Sequence, residues 1–216
     1  MYEKKNILAV VFDFDNTIVD GDYWIIERWK KTIEYVNKKY AINNFENTFW
    51  DIFYQKGLYY KYHINETLLE VSGDLTLVKD IVKYFHKTEI DDIFINGAFD
   101  FLNNLKRKYL LGIITNGRKQ TQLGRIKRAG ILNYFNSIVC SHDFPKPSKI
   151  PFLKCIEELE LHPENIVYIG DSYEQDYLPA LNVGFNPILF DQKGLNNNDP
   201  NCSRVRDFQS LINIMK

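Results

Sequence analysis

The chain has 216 residues, of which 45% are hydrophobic and 25% are charged, and its formal net charge is -1. This composition is typical of a globular protein with one or two domains. It gives no electrostatic reason to expect nucleic acid or an anionic membrane as a partner, and no apolar run approaches the roughly 20 residues that span a bilayer.

The first element of the chain is a short apolar run that ends in two carboxylates. Ile7 to Phe12 predicts a strand buried on both faces of a parallel sheet. Asp13 and Asp15 follow, and in an extended chain their side chains leave on the same side, about 6–7 Å apart. Such a pair suits a hard divalent metal or a division of acid and base roles, whereas a plain polar turn with Thr17 as a helix N-cap is the alternative. Asn16 tolerates the left-handed conformation that a sharp turn needs.

The segment from Thr17 to about Phe94 has a helical and aromatic character. Its predicted elements are an amphipathic helix, an aromatic-rich stretch interrupted by Gly57 and a further helix, at Tyr23–Tyr40, Phe45–Tyr62 and Leu75–Lys87. We predict a small helical domain inserted after the first strand, with most of its aromatic side chains in a core and a few available to line a substrate pocket.

From Asn96 the pattern alternates between helix and strand. The predicted helices are Ala98–Lys108, Lys119–Ala129, Ile150–Leu161, Glu174–Leu181 and Phe208–Met215. The predicted strands are Leu110–Ile114, Ile138–Ser141, Ile166–Ile169 and Pro187–Phe190. This alternation predicts an α/β fold, a Rossmann-like parallel sheet with helices on both faces.

Polar side chains follow several of these strands. Thr115 and Asn116 end the second strand, Lys146 lies in the loop after the third, and Asp171 and Asp176 follow the fourth. Ligands of such sheets bind at the carboxyl ends of the strands, so we expect these side chains to meet Asp13 and Asp15 in one crevice. Carboxylates suit Mg²⁺, and lysine, threonine and backbone N–H groups suit phosphate oxygens, which together predict phosphoryl transfer to a carboxylate nucleophile.

Three of these residues also have simpler interpretations. Thr115 follows a strand and could be a helix N-cap, and Lys146 beside Pro147 could be an ordinary surface lysine. Asp176 could complement the dipole of the helix that it begins.

The ordered motifs resemble those of the haloacid dehalogenase (HAD) superfamily. They are D-F-D-N-T from Asp13, I-I-T-N-G ending at Gly117, K-P from Lys146, and G-D-S-Y-E-Q-D ending at Asp176. The resemblance covers essentially the whole chain and implies an HAD core over residues 1–18 and 96–216, with a helical cap over residues 19–95. It is greatest to the phosphatase branch with a cap between the first two motifs, as in phosphoglycolate phosphatases.

The resemblance also implies a role for each motif residue. Asp13 would be the nucleophile that forms an aspartyl phosphate, and Asp15 the acid that protonates the leaving alkoxide and then the base that activates water. Thr115, the backbone amide of Asn116 and Lys146 would hold the transferring phosphoryl group.

The implied cofactor is Mg²⁺. Asp13, Asp171 and the backbone carbonyl of Asp15 would be its ligands, and Asp176 would support the metal or Lys146. Three departures from the family pattern, at Asn16, at Ser148–Lys149 and at Pro179, remove no catalytic group but weaken assignment to a subfamily.

The predicted function is Mg²⁺-dependent hydrolysis of a small phosphorylated metabolite. The presence of Asp15 argues against the dehalogenase branch, and a phosphomutase would use the same residues. A non-catalytic binding protein would be expected to lack Asp13, Asp15, Lys146 or Asp171, and receiver domains are smaller and lack the helical insert. The expected state is a monomer or homodimer.

The cysteines and the N-terminus indicate the compartment. Cys140, Cys155 and Cys202 are odd in number and lack metal-type spacing, and Met1 to Asn6 has no signal-peptide organisation. We therefore expect a soluble cytoplasmic protein. An Asn-rich loop, Leu195 to Asn201, is expected to be a surface excursion without an assigned role.

Overall fold

A computed structural model of the chain describes residues 6–194 and 199–215, so most of the predicted Asn-rich loop lies outside the described residues. The chain forms two compact units. Asp22–Asp91 is the helical unit, and the described residues on either side of it form the α/β unit.

The helical unit is built from amphipathic helices around an aromatic core. Its helices are α1 (Gly21–Tyr40, whose first residue belongs to the α/β unit), α2 (Phe45–Lys56), α3 (His63–Val71) and α4 (Val78–Lys87). Gly57 follows the last residue of α2, and its φ of 86° is open to glycine and rarely to other residues. Trp29 stacks on Phe85 at a ring-centroid distance of 4.0 Å and packs against Phe49. These three side chains belong to the core of the unit, whereas Tyr54 and Tyr59 are exposed.

A six-stranded parallel sheet is the centre of the α/β unit. Its strands are β1 (Ala9–Phe12), β2 (Leu110–Asn116), β3 (Ser137–Ser141), β4 (Ile166–Gly170), β5 (Asn186–Phe190) and β6 (Arg204–Val205). The strand order is β3-β2-β1-β4-β5-β6, and every adjacent pair is parallel. The first strand therefore lies between β2 and β4, whose carboxyl ends carry the other predicted motifs.

Helices cover both faces of the sheet. They are α5 (Ala98–Leu105), α6 (Lys119–Arg128), α7 (Ile150–Leu159), α8 (Leu178–Asn182) and α9 (Phe208–Met215). Alternate residues of β1 point to opposite faces, as the strand period requires: Val10 and Phe12 join a core with α5, α6 and α9, whereas Ala9 and Val11 join a core with α7 and α8. This layering confirms the predicted α/β fold class.

The structure differs from the predicted elements in three places. Helix α3 and the two-residue strand β6 were not predicted. Helix α3 directly follows the predicted aromatic stretch, and no signal in the sequence separates the two. Strand β6 is too short to show an alternation of apolar and polar residues. The predicted helix at Glu174–Leu181 is a π-helical turn, Tyr173–Tyr177, followed by α8. Within residues 6–194 and 199–215, each helix is either too short or too polar to span a bilayer.

Candidate active site

The candidate site lies at the carboxyl ends of β1, β2 and β4. Asp13 directly follows β1, and its backbone N–H donates to the carbonyl of Ile169 at 2.8 Å, which fixes the strand end against β4. Thr115 and Asn116 are the last residues of β2, and Asp171 directly follows β4. The parallel topology thus brings together side chains that are far apart in the sequence.

Lys146 joins the acidic residues from two of these strand ends. Its Nζ donates to Asp13 Oδ1 at 2.7 Å and to Asp176 Oδ1 at 2.5 Å, and all three side chains are buried. Burial alone would lower the pKa of Lys146, but the carboxylates of Asp13 and Asp176 outweigh it and hold that pKa above its ordinary value. Lys146 is therefore a charged, buried partner of the predicted nucleophile, and its interpretation as a surface lysine is wrong.

The backbone of Lys146 is fixed by the side chain of Asn116. The Lys146 N–H donates to Asn116 Oδ1 at 2.8 Å, and Asn116 Nδ2 donates to the Lys146 carbonyl at 3.3 Å. This two-point contact attaches the loop that carries the lysine to the end of β2. The side chain of Asn116 thus positions Lys146, a role that the motif alone does not indicate.

Tyr168 is a buried contributor that the sequence analysis missed. Its hydroxyl donates to Asp176 Oδ1 at 2.8 Å and accepts from Lys146 Nζ at 3.2 Å. Burial, reinforced by the charge of Asp176, raises the pKa of the Tyr168 hydroxyl well above its ordinary value, so the group remains a donor. Tyr168 lies within β4, where an apolar run predicts only core packing, and no local signal distinguishes it.

The π-helical turn brings Asp176 to this network. The N–H groups of Asp176 and Tyr177 both donate to the carbonyl of Ser172, at 3.0 and 3.1 Å. The Ser172 N–H in turn donates to Asp176 Oδ2 at 3.1 Å. A Cβ atom on Gly170 would lie 2.5 Å from Cβ and Cγ of Asp176, so only glycine allows this approach. Asp176 is thus engaged by Lys146 and Tyr168, which is more than a complement to a helix dipole.

Three carboxylates form the group that could hold a metal ion. One oxygen from each of Asp13, Asp171 and Asp176 lies within 4.8 Å of the others. Burial, and next the charge of Asp176, raises the pKa of Asp171 to about 7. Burial also raises the pKa of Asp13, while the Lys146 ammonium opposes that shift and favours the ionised form. Crowded, buried carboxylate oxygens are the environment that a hard divalent cation stabilises, so these residues fit Mg²⁺.

The side chain of Asp15 lies outside that group and faces α6. Its Oδ1 accepts from Arg125 Nη2 at 2.7 Å, and its Oδ2 accepts from Arg125 Nη1 and from Gln122 Nε2, both at 3.1 Å. Gln122 Nε2 also lies 2.7 Å from the hydroxyl oxygen of Thr115, which is in β2 and is not the N-cap of α6. The backbone at Asn16, with φ of 58°, adopts the left-handed conformation predicted for this turn.

Sequence reasoning missed Arg125 and Gln122. The predicted helix Lys119–Ala129 contains several cations, and a charged helix face is normally solvated. The available signal was their spacing of three residues, which makes Gln122 and Arg125 neighbours on one face of the helix. Their burial depends on partners that are remote in sequence.

Comparison with known proteins agrees with the fold and with the motifs. Residues 10–190 match the model of the haloacid dehalogenase-like hydrolase family. The chain is 26% identical over 190 residues to the glyceraldehyde 3-phosphate phosphatase of Methanothermobacter thermautotrophicus, covering 84% of each chain. It is 24% identical over 208 residues to the mouse N-acylneuraminate-9-phosphatase, covering 88% of this chain and 84% of that protein.

Solved structures show the same fold. The HAD-hydrolase YfnB from Bacillus subtilis, crystallised with bound magnesium, superposes with a TM-score of 0.77 at 22% identity, covering 98% of this chain and 100% of that one. The HAD phosphatase of Thermococcus onnurineus has a TM-score of 0.68 at 26% identity, covering 97% of this chain and 98% of that one. Together with the ordered motifs at the strand ends, the family match shows that the chain belongs to the haloacid dehalogenase-like hydrolases.

Proposed function

We propose that the protein is a Mg²⁺-dependent phosphatase that hydrolyses a small phosphorylated metabolite through an aspartyl phosphate on Asp13. The observation that carries the proposal is the Lys146 ammonium, buried 2.7 Å from Asp13 Oδ1 beside a group of further carboxylates. This arrangement suits an anionic nucleophile that must receive an anionic group. Relatives that carry the names of phosphatases of small phosphorylated compounds support it.

In the first half of the reaction, a carboxylate oxygen of Asp13 attacks phosphorus. The bond from phosphorus to the leaving oxygen breaks, and Asp15 gives its proton to that oxygen. The Lys146 ammonium, the Thr115 hydroxyl and the backbone N–H of Asn116 stabilise the charge on the phosphoryl oxygens. The products are an alcohol and the aspartyl phosphate.

In the second half, Asp15 accepts a proton from water, and the water oxygen attacks phosphorus. The bond between phosphorus and Asp13 breaks, which releases inorganic phosphate and restores both carboxyl groups to their starting state. Positioned proton transfer of this kind contributes typically about 10²- to 10⁴-fold to a rate.

Asp13, Asp171 and the backbone carbonyl of Asp15 would hold the Mg²⁺, and Asp176 would support this set through Lys146. The ion would neutralise part of the negative charge shared by nucleophile and phosphate. We further propose that the helical unit, Asp22–Asp91, is the substrate-selecting cap of this enzyme.

The test is the hydrolysis of p-nitrophenyl phosphate by the wild type, by Asp13→Asn and by the control Asp143→Asn, an exposed aspartate of the same unit. Each protein is assayed with Mg²⁺ and with a chelator. The proposal predicts that wild type and Asp143→Asn turn over only with Mg²⁺ and that Asp13→Asn is inactive. Wild-type turnover by Asp13→Asn, or turnover that is indifferent to the chelator, would contradict it.

A further inference from the structure

Arg125 is an unusual arginine because its guanidinium is buried between two carboxylates. Its side chain is 2% exposed, and its partners are Asp15, 28% exposed, and Asp92, 1% exposed. Arg125 Nε donates to both Asp92 oxygens at 3.1 and 3.2 Å, and Nη2 donates to Asp92 Oδ1 at 2.5 Å. One side of the guanidinium is thus anchored on the buried carboxylate of Asp92, and the other is presented to Asp15.

Two further contacts fix the plane of this guanidinium. Its central carbon lies 4.9 Å from the centroid of the Phe14 ring, and Nη1 donates to Gln122 Oε1 at 3.1 Å. The second contact also sets the orientation of the Gln122 amide, because an amide whose oxygen faces Arg125 must turn its NH₂ towards Thr115, Asp15 and the carbonyl of Asn116. Arginine retains its charge at any working pH, so it can hold a carboxylate without exchanging protons with it.

The hydrogen bonds of Asp15 distinguish its two oxygens. A carboxylate oxygen has two lone pairs. Oδ2 accepts two hydrogen bonds, from Arg125 Nη1 and Gln122 Nε2, whereas Oδ1 accepts one, from Arg125 Nη2. Oδ1 therefore retains the capacity to carry a proton. A Cβ atom on Gly21 would lie 2.9 Å from this oxygen, so glycine at position 21 keeps the space beside it open.

We propose that Arg125 and Gln122 are positioning residues for the acid and base steps: they fill both acceptor positions of Asp15 Oδ2 and one of Oδ1, and so leave the second position of Oδ1 to deliver and accept the proton. Asp92 anchors Arg125 in this role. The inference rests on the proposed function, since Asp15 is the group that protonates the leaving oxygen and then takes a proton from water. It adds residues from α6 and from the segment before α5 to the apparatus of the reaction.

Substrates with different leaving groups distinguish this positioning role from a general structural role. p-Nitrophenolate leaves without protonation, whereas the alkoxide of an alkyl phosphate needs the proton of Asp15. The ratio kcat/KM includes only the steps up to departure of the leaving group, while kcat also includes hydrolysis of the aspartyl phosphate. A variant with a misplaced Asp15 should therefore retain kcat/KM for the aryl ester and lose kcat/KM for the alkyl ester.

The experiment compares Arg125→Met, Arg125→Lys and Asp92→Asn with wild type on p-nitrophenyl phosphate and on propyl phosphate. Lys127→Met, an exposed cation of the same helix, is the control. We expect Arg125→Met to lose about 10- to 10²-fold in kcat/KM for the alkyl ester, which is part of the about 10²- to 10⁴-fold that positioned proton transfer contributes, and no more than about threefold for the aryl ester. For the aryl ester, kcat and KM should fall by similar factors, because hydrolysis of the aspartyl phosphate is slowed while kcat/KM is retained.

Arg125→Lys retains the charge and should recover part of the alkyl-ester activity. Asp92→Asn preserves the shape of the anchor. It should lower kcat/KM for the alkyl ester and kcat for the aryl ester, each by a smaller factor than Arg125→Met does. If circular dichroism shows that Arg125→Met does not fold, these two variants provide the decision. Equal losses of kcat/KM for the two esters, or no loss for either, would overturn the inference. Turnover that does not depend on Asp13 would instead refute the proposed function itself.

Discussion

Removing the hydroxyl group of Tyr168 tests how much its hydrogen bonds stabilise the buried charges of Asp176 and Lys146. Tyr168 is fully buried, and its hydroxyl contacts Asp176 Oδ1 at 2.8 Å and Lys146 Nζ at 3.2 Å. Tyr168→Phe retains the ring, which packs against Phe152 at a centroid distance of 5.1 Å. The substitution therefore removes a donor from a buried carboxylate and an acceptor from a buried ammonium while leaving the apolar packing in place.

The expected cost follows from the charge of the two partners. A hydrogen bond to a charged group contributes about 1.5–3 kcal/mol to stability, compared with about 0.5–1.5 kcal/mol for a neutral one. For a chain of 216 residues this corresponds to a fall in Tm of roughly 3–12 °C. Lys146 would also be less firmly oriented, and we expect kcat to fall by about tenfold, equivalent to about 1.4 kcal/mol.

The matched control is Tyr134→Phe in the same unit. The Tyr134 hydroxyl donates to Asn103 Oδ1 at 2.8 Å, a bond of the same length to a neutral acceptor. Thermal unfolding followed by circular dichroism should show a larger fall in Tm for Tyr168→Phe than for Tyr134→Phe. Equal falls in Tm, with wild-type kcat in both variants, would refute the reasoning that charged and buried partners make the Tyr168 contacts stronger than the partly buried bond of Tyr134.

Two further predictions concern a close approach and a buried histidine. Gly170→Ala would place a carbon 2.5 Å from Cβ and Cγ of Asp176. We expect the free energy of unfolding, measured with denaturant, to fall by about 1–3 kcal/mol and kcat to be lower. Wild-type values of both would contradict this expectation. Burial lowers the pKa of His63 below its ordinary 6.5, so the folded state favours the neutral imidazole, and the stability of the helical unit should fall as the pH drops below about 6.5. His63→Phe should flatten this dependence, measured by tryptophan fluorescence because Trp24, Trp29 and Trp50 all lie in the helical unit; an unchanged pH slope would contradict it.

The sheet and the meeting of the motif residues could be predicted because both follow from local patterns and one topological rule. Asp13 and Asp171 each come directly after an apolar run, and parallel strands bring such ends to one edge of the sheet. The assignment of chemical roles still rests on the resemblance and is a prediction that the experiments above test.

The remaining features depend on contacts between distant residues, which local patterns do not encode. Arg125 is buried whereas the nearby cations Lys127 and Arg128 are exposed, and its partners Asp92 and Asp15 lie 33 and 110 positions away in the sequence. Tyr168 occupies a strand position where any large apolar side chain would fit the pattern. The two-residue strand β6 exists because Arg204–Val205 pairs with β5, and two residues carry no measurable period.

The most direct test of the central claim is to trap the phosphoryl group on Asp13. Asp15→Asn should accumulate the intermediate from p-nitrophenyl phosphate, because that leaving group needs no acid while hydrolysis of the aspartyl phosphate needs the base. After acid quenching, mass spectrometry of the peptides should show one added phosphoryl group on Asp13, and Asp13→Asn in the same background should show none. A phosphoryl group on Asp171 or Asp176, or steady release of nitrophenolate without any phosphorylated peptide, would contradict the account.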